Sequence, residues 1–386
     1  MSFRGIKPAR RCGVKTSGAA RWAILGRPEA GRRGTTVDTE GGKRPVTIRE
    51  VAERAGVSIS TVSHALSGRR PISAATKARV REAAAELGYD PNPNARSLRT
   101  GRSGLVGLIL RPRYAVAGTP DRAETFNRLV GSIATEMLRH KTGLIHVPDL
   151  HDPAVASVPM DGCIVAHPYG GDTALAELLG RGLPVVTVEE DPEQPDLPWS
   201  VRLDYPPVVE ALLDHLYDQG ARDVLLLSGT EDNAWNRRPR ETYLAWCERR
   251  ALPPRTALLS EGLTPGDVPE LVQPLLSGPD RPAAIVVATS DFAPLIVEAA
   301  AAQGLRIPDD LLLAALTDSE HARTSTPPIT AMDLTHEALA ERAVDLMLAR
   351  LSGAETPAGP VFLTPELRLR ESTQRTVPRT TRPKST

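Results

Sequence analysis

Lysine is scarce: of 47 basic residues only 6 are Lys and 41 are Arg, beside abundant Ala, Pro and Gly. That bias marks the codon usage of a high-GC bacterium rather than arginine chemistry. Cysteine is scarcer still. Its three residues, Cys12, Cys163 and Cys247, are odd in number and far apart. They exclude a disulfide framework and any standard zinc spacing, which fits a reducing cytosol. Long apolar runs are missing, and nothing approaches the roughly 18 to 20 residues that a membrane span needs. The N-terminus lacks an apolar stretch followed by a small-residue cleavage site, so no secretory signal is expected and the protein is placed in the cytoplasm. Catalytic signatures are missing too: no Walker A loop, no G-x-S-x-G elbow, no H-E-x-x-H and no C-x-x-C. His146, Asp149, His151 and Asp152 form a loose cluster whose spacing fits no metal set. An enzyme is therefore not expected, and neither is a metal or a cofactor.

What is present is length and a lopsided charge. The 386 residues, 41% of them hydrophobic, suit two or three domains. The net charge is zero, but residues 1–104 carry 21 basic against 8 acidic side chains, and residues 105–386 carry 26 against 39. A basic module that meets a polyanion and an acidic body that does not is the physical reading. Residues 1–44 supply most of the excess, +8 of +13, so the weight falls on residues 45–104. The first 44 residues, rich in Gly, Arg and Thr with no apolar period, are expected to be disordered. They are either a weak DNA-binding extension or sequence ahead of a misassigned start.

Residues 45–90 read as three short helices. Thr47 and Glu50 make a capping box, and Ile48, Val51, Ala52 and Ala55 form the buried face up to a stop at Gly56. Ser58 caps a second helix to about Leu66, with Val62, Ala65 and Leu66 apolar, stopped by Gly68. Ser73 caps a third that ends at Gly88, with Val80, Ala83, Ala84 and Leu87 inside. Helix, Gly-containing turn, helix and supporting helix make a helix-turn-helix pattern, expected as a DNA-binding headpiece. Its second helix projects Ile59, Ser60, Thr61, Ser63 and His64 from its N-terminal end, where a recognition helix meets base edges. Thr47 and Ser58 are further candidates for DNA binding, and phosphate contacts are expected from Arg69, Arg70, Ser73, Thr76, Asn92 and backbone amides at helix starts. Residues 91–104 read as a linker with one or two helical turns, since Pro91 and Pro93 stop the preceding helix.

From residue 105 to 371 short apolar runs alternate with amphipathic helices. The runs are Leu105–Leu110, Gly143–Val147, Gly162–Val165, Val185–Val188, Val224–Leu227, Ile285–Ala288 and Leu311–Leu316. Helices are expected near 126–140, 173–181, 207–219, 235–250, 292–303 and 335–351. This rhythm argues a doubly wound α/β body of two lobes with parallel sheets. Residues 372–386 read as a disordered basic tail.

The segment VTIREVAERAGVSISTVSHALSG (46–68), continued by ISAATKARVREAAAELGYDPNPNARSLRTGRSGLVGLIL (72–110), resembles the headpiece and hinge of the LacI/GalR transcription-regulator family. The body is similar, more loosely, to that family's periplasmic-binding-protein-like effector domain. The resemblance implies base reading by Ile59, Ser60 and His64. The family commonly has Arg where His64 stands, which makes base preference there a departure and opens a pH response. It also implies a hinge helix carrying Asn92, Ala95, Arg96 and Leu98. Leu98 then wedges into the central minor-groove step, or else docks on the body.

In the body a ligand sits at strand carboxyl ends between the lobes. The candidates are Arg111 and Tyr114, His167, Glu189, Trp235, Arg238 and Arg240, Ser290 and Asp291, then Thr317 and Asp318. Trp235 either stacks on a sugar face or packs as a core aromatic. The family's Asn-Asp and Asp-Asp pairs stand here as Ser290-Asp291 and Thr317-Asp318, each one sugar-hydroxyl partner fewer. The whole implies a homodimeric repressor on a pseudo-palindromic double-stranded operator, released by a small, sugar-like effector. Two alternatives remain: a corepressor-dependent regulator, or a solute-binding sensor whose headpiece no longer reads DNA.

Overall fold

The computed structural model describes residues 46–67, 70–89, 101–111, 124–148, 150, 158–260, 265–288 and 292–375. The chain divides into two compact units, Met1–Asp90 and Pro91–Thr386.

In the first unit, local chemistry places three helices. Helix α1 (Ile48–Ala55) starts at Thr47, whose hydroxyl accepts from the Glu50 amide at 3.4 Å. The Glu50 carboxylate accepts from the Thr47 amide at 2.6 Å, closing the capping box. Gly56, at φ 64°, takes the left-handed turn that ends the helix. Ser58 Oγ accepts from the Thr61 amide at 3.1 Å and opens α2 (Ile59–Ser67). Ser73 does the same for α3 (Ala74–Leu87), and Gly88 ends it. Val51, Ala52 and Ala55 of α1 meet Val62 and Ala65 of α2 and Val80, Ala83 and Ala84 of α3 in one small core. Leu66, expected on the apolar face, stays outside that core at 36% exposure. It is next to Ala65, and one helical step of about 100° carries it past the edge of the buried stripe.

The second unit is a pair of parallel sheets. The first lobe holds β1 (Leu105–Leu110), α4 (Glu124–Arg139), β2 (Gly143–His146), β3 (Gly162–Ala166), α5 (Thr173–Gly180), β4 (Val185–Val188) and β5 (Ser200–Leu203). The second holds α6 (Tyr205–Asp218), β6 (Val224–Gly229), α7 (Ala234–Arg249), β7 (Arg255–Leu259), α8 (Val268–Leu276) and β8 (Ala284–Val287). It continues with α9 (Ala293–Ala302), β9 (Leu312–Ala315), α10 (Glu320–Thr324) and β10 (Thr330–Asp333). The chain then recrosses: α11 (His336–Leu351) packs on α4, β11 (Val361–Leu363) joins the first sheet, and β12 (Glu366–Arg368) joins the second.

The sheet orders are β11-β5-β4-β3-β1-β2 and β12-β10-β9-β8-β6-β7, and every pairing is parallel except β10 with β12. Each lobe thus reverses strand order beside its first strand, β1 or β6. The carboxyl ends of a doubly wound sheet open a crevice at that point. Strands β3, β4, β8 and β9 are buried at every position, as parallel strands covered on both faces must be. One hydrophobic cluster runs from Val106 and Leu108 through Tyr205 to Leu226 and Val286, joining the lobes along their crossovers.

Two features of the body differ from expectation. The tail was expected from residue 372, yet Ser372 and Thr373 are fully buried, with Ser372 Oγ donating to the Leu313 carbonyl and accepting from the Thr330 amide. Arg375 still holds Gln219 and the Pro308 carbonyl. The ordered body therefore runs to at least residue 375. Several elements also carried no apolar run, among them β5, β7, α8 and β10 to β12. The hinge helix, the N-terminal extension and the rest of the tail lie outside the described residues.

Candidate nucleic-acid interface and effector cleft

On the headpiece, Ser58, Ile59 and Ser60 are exposed at the start of α2, with Ile59 at 44%. A hydrophobic side chain held in water by a capped helix is the unusual feature here; its neighbour Val62 is fully buried. Ser58 Oγ lies 2.8 Å from both Ser60 Oγ and Thr61 Oγ1, so the three hydroxyls form one short polar ridge. Ser63 and His64 are half-buried one turn further on. Arg70 and Ser73 are exposed, and Thr76 is bonded back to Ser73 at 2.8 Å. Thr47 directs its hydroxyl to Glu50 at 2.8 Å, so its part is the helix cap. Anions meet backbone amides at helix starts; at α2 and α3 the Thr61 and Thr76 amides are already taken by Ser58 and Ser73. Arg69, Asn92, Ala95, Arg96 and Leu98 lie outside the described residues.

In the body, several candidates stand at or just beyond strand ends. Arg111 follows β1, His167 follows β3 and Glu189 follows β4; Trp235, Arg238 and Arg240 stand in the first turns of α7, and Thr317 and Asp318 follow β9. Tyr114, Ser290 and Asp291 lie outside the described residues.

Most of these side chains are already engaged. Arg111 Nε donates to Asp172 at 2.5 Å, and Asp172 also accepts from the amides of Tyr169 and Leu175. Asp318 accepts from Arg370 at 2.8 and 2.9 Å and from Arg323 at 3.1 Å. Arg238 donates to Glu190, reaching from the second lobe to the first, and Glu190 also pairs with buried Arg202. Trp235 is 8% exposed and meets Tyr205 edge-on at 5.8 Å, so it packs as a core aromatic. Thr317 Oγ1 donates to the Ala288 carbonyl at 3.5 Å.

Other groups that tie the two lobes together carried no signal in the sequence. Glu124 of α4 accepts from the Glu320 amide at 3.0 and 3.1 Å, linking the first lobe to α10 of the second. Gly170 donates to the Asp232 carbonyl at 2.7 Å, a further link. Asp191, expected with Glu189 as a lining candidate after Val188, takes amide donations from Gly171, Asp172 and Glu193 and so fixes the loop after β3. Only an Asp capping a helix start, Asp172 before α5, was findable in principle from its local pattern.

Glu189 has a different environment. It is 2% exposed, sits at φ 68°, and accepts from the Tyr205 hydroxyl at 2.9 Å and the Leu203 amide at 3.2 Å. Burial pushes its carboxyl up to about 8, against the opposing pull of those two donors. A carboxyl raised in the folded state contributes its full stability below its ordinary value near 4.5 and loses it as pH rises through about 8. Glu189→Gln should therefore gain stability relative to the parent as pH climbs through that window. Melting temperatures measured in parallel at acid and mildly alkaline pH check this; a constant difference means that Glu189 ionises normally.

Comparison with known proteins fits this geometry. A family model described as bacterial regulatory proteins, lacI family, matches residues 47–92, and a periplasmic binding protein-like domain matches residues 213–373. The transcriptional regulator PtxS of Pseudomonas plecoglossicida is 31% identical over 340 residues, covering 85% of this chain and 96% of that protein. The chain belongs to the LacI family. The repressor PurR of Mannheimia succiniciproducens is 25% identical over 350 residues, covering 85% of this LacI-family chain and 99% of that protein. A crystal structure of the Lac repressor dimer, bound to operator and the anti-inducer ONPF, superposes with a TM-score of 0.74 at 22% identity. It covers 86% of this chain and 100% of that one, and establishes the likeness of fold. As a LacI-family member the chain is a transcription regulator, with a helix-turn-helix headpiece and a two-lobe body. These relatives are regulators rather than enzymes, and no described helix is long and apolar enough to cross a membrane.

Proposed function

We propose that this LacI-family regulator is a cytoplasmic repressor that binds a pseudo-palindromic operator as a homodimer and is released by a small effector held between the lobes of its body. The observation that carries the reading is the exposed, hydroxyl-lined start of α2 on a basic three-helix unit, with Ile59 held in solvent beside a firmly packed Val62. A two-fold protein matches a two-fold operator, one α2 in each major-groove half-site. Among related proteins, a Lac repressor structure holds operator and ONPF, and a CelR structure holds cellobiose. By that analogy the effector here is sugar-like, and closure around it favours the state with lower DNA affinity.

The test is a titration of fluorescent duplex DNA across a salt series. Log affinity should fall linearly with log salt, with a steep slope set by the number of phosphates neutralised. Salt-independent binding, or none, would leave the body as a sensor without a DNA-reading headpiece.

A further inference from the structure

The segment through which the chain enters the body is exposed and yet firmly held. Gly101, Arg102 and Gly104 are exposed, and Ser103 is half-buried. Asp161, just before β3, reaches across to all of Ser103 and Gly104 that can donate. Its Oδ1 accepts from the Ser103 amide at 2.6 Å and the Ser103 hydroxyl at 2.9 Å, and its Oδ2 accepts from the Gly104 amide at 2.8 Å. Hydrogen bonds to a carboxylate are stronger than those between neutral groups. Ser103 Oγ accepts in turn from the Leu105 amide at 3.1 Å, and the Gly104 carbonyl accepts from the Gly143 amide at 2.9 Å.

A second hold comes from α11. Arg102 donates at 2.5 Å to the carbonyl of Leu351, the last residue of that helix. Carbonyls of a last turn have no partner within the helix and form the negative end of its dipole, so a guanidinium suits them. The two holds belong to one corner of the first lobe. Gly162, next to Asp161, packs so near α11 that an added Cβ would lie 2.6 Å from Met347 Sδ. Arg350 ties the same end of α11 to β4 by donating to the Val185 carbonyl.

The headpiece core reaches Tyr89, and β1 begins at Leu105. With residues 102–104 fixed on the corner, only residues 90–101 stand between the headpiece and its anchor. A tethered second site is met less often as its tether lengthens beyond the span it must cover. Where the linker leaves the body therefore bears on how two headpieces engage two half-sites.

We propose that Asp161 is a positioning residue for operator binding: with the last turn of α11 it fixes the exit point of the headpiece linker, and so favours simultaneous contact with both half-sites. This rests on the reading of the protein as a homodimer on a two-fold operator. Charge works in the opposite direction. Asp161 is acidic, and its removal by itself favours binding to a polyanion. A loss of DNA affinity without it is a loss of position.

The test uses the full chain and two duplexes: the palindrome that the purified protein enriches from a randomised library, and the same duplex with one half-site scrambled. Anisotropy gives both affinities, and thermal unfolding verifies that each variant is folded. Asp161→Ala should bind the palindrome about tenfold more weakly, losing part of the gain that linking two sites supplies, and should bind the scrambled-half duplex as the parent does. Asp161→Asn, which keeps one acceptor oxygen, should lose less, and it decides alone if the Ala variant folds poorly. A parent-like ratio of the two affinities in the folded variants overturns the role of Asp161 while the operator reading stands. Equal losses on both duplexes overturn it as well, since position would then not be what was lost. A parent that enriches no palindrome, or that binds both duplexes equally, overturns this inference and the operator reading together.

Discussion

Replacing Ile59 and His64 by Ala should weaken operator binding by about 1–3 kcal/mol at each position, while affinity for unrelated duplex stays the same. Both side chains lie outside the headpiece core, which is built from α1, α2 and α3 without them. The variant should therefore keep its helical circular dichroism and its salt slope. Phosphate contacts set that slope, and they come from other groups. The contrast is Val62→Asp. Val62 is fully buried, and a carboxylate there leaves an unpaired charge in a core of eight small side chains. That headpiece should unfold and lose specific and non-specific binding together. Anisotropy titrations against operator and scrambled duplex separate the cases. Equal losses on both duplexes for the Ile59/His64 variant would show that these residues hold structure rather than read bases.

Removing Arg202 should have the largest effect on the stability of the body. Its side chain is 6% exposed and its partner Glu190 4%. Arg202 also donates to the Pro195 carbonyl at 2.7 Å, the Leu197 carbonyl at 3.3 Å and Ser200 Oγ at 3.1 Å. Arg202→Met leaves the buried Glu190 carboxylate with the more exposed Arg238 as its remaining cation among the described residues, and breaking a buried pair in that way costs about 3–5 kcal/mol. Arg238 also reaches Glu190, but its side chain is 42% exposed. An exposed partner of that kind is worth about 0–1 kcal/mol, so Arg238→Ala should scarcely change stability. Adding Glu190→Gln to Arg202→Met should recover part of the loss, because the stranded charge is gone. Urea unfolding followed by tryptophan fluorescence checks all three. Equal destabilisation by Arg202→Met and Arg238→Ala would contradict the burial argument.

What was legible in the sequence depended on how local its cause is. Thr47, Gly56, Ser73 and Gly88 mark helix ends through contacts within a few residues, and the helices begin and end beside them. Strands β1, β3, β4, β6, β8 and β9 show as apolar runs because both of their faces are covered. Strand β7 alternates between half-buried and exposed residues at the sheet edge, and β5 is only Ser-Val-Arg-Leu, so neither resembles such a run. Strand β11 pairs with β5 across some 160 residues of chain, a partnership with no local signature. Ser372 and Thr373 look like tail residues because their hydroxyl partners, Thr330 and His215, are distant in sequence.

The strand ends that carry the candidate residues were legible, and the partners of those residues were not. Strand ends pointed to Arg111, His167 and Asp318, and each stands just beyond its strand. That Arg111 and Asp318 are already paired follows from Asp172, Arg323 and Arg370 folding onto them, which no spacing announces.

The central claim is that two copies of α2 read a symmetric operator. Selection of bound duplexes from a randomised library by the purified protein, at about physiological salt, tests it most directly. The account predicts enrichment of two inverted half-sites with a flexible pyrimidine–purine step between them, and loss of that enrichment in the Ile59/His64 variant. A library that emerges without any enriched sequence, or with a single asymmetric site, would contradict it.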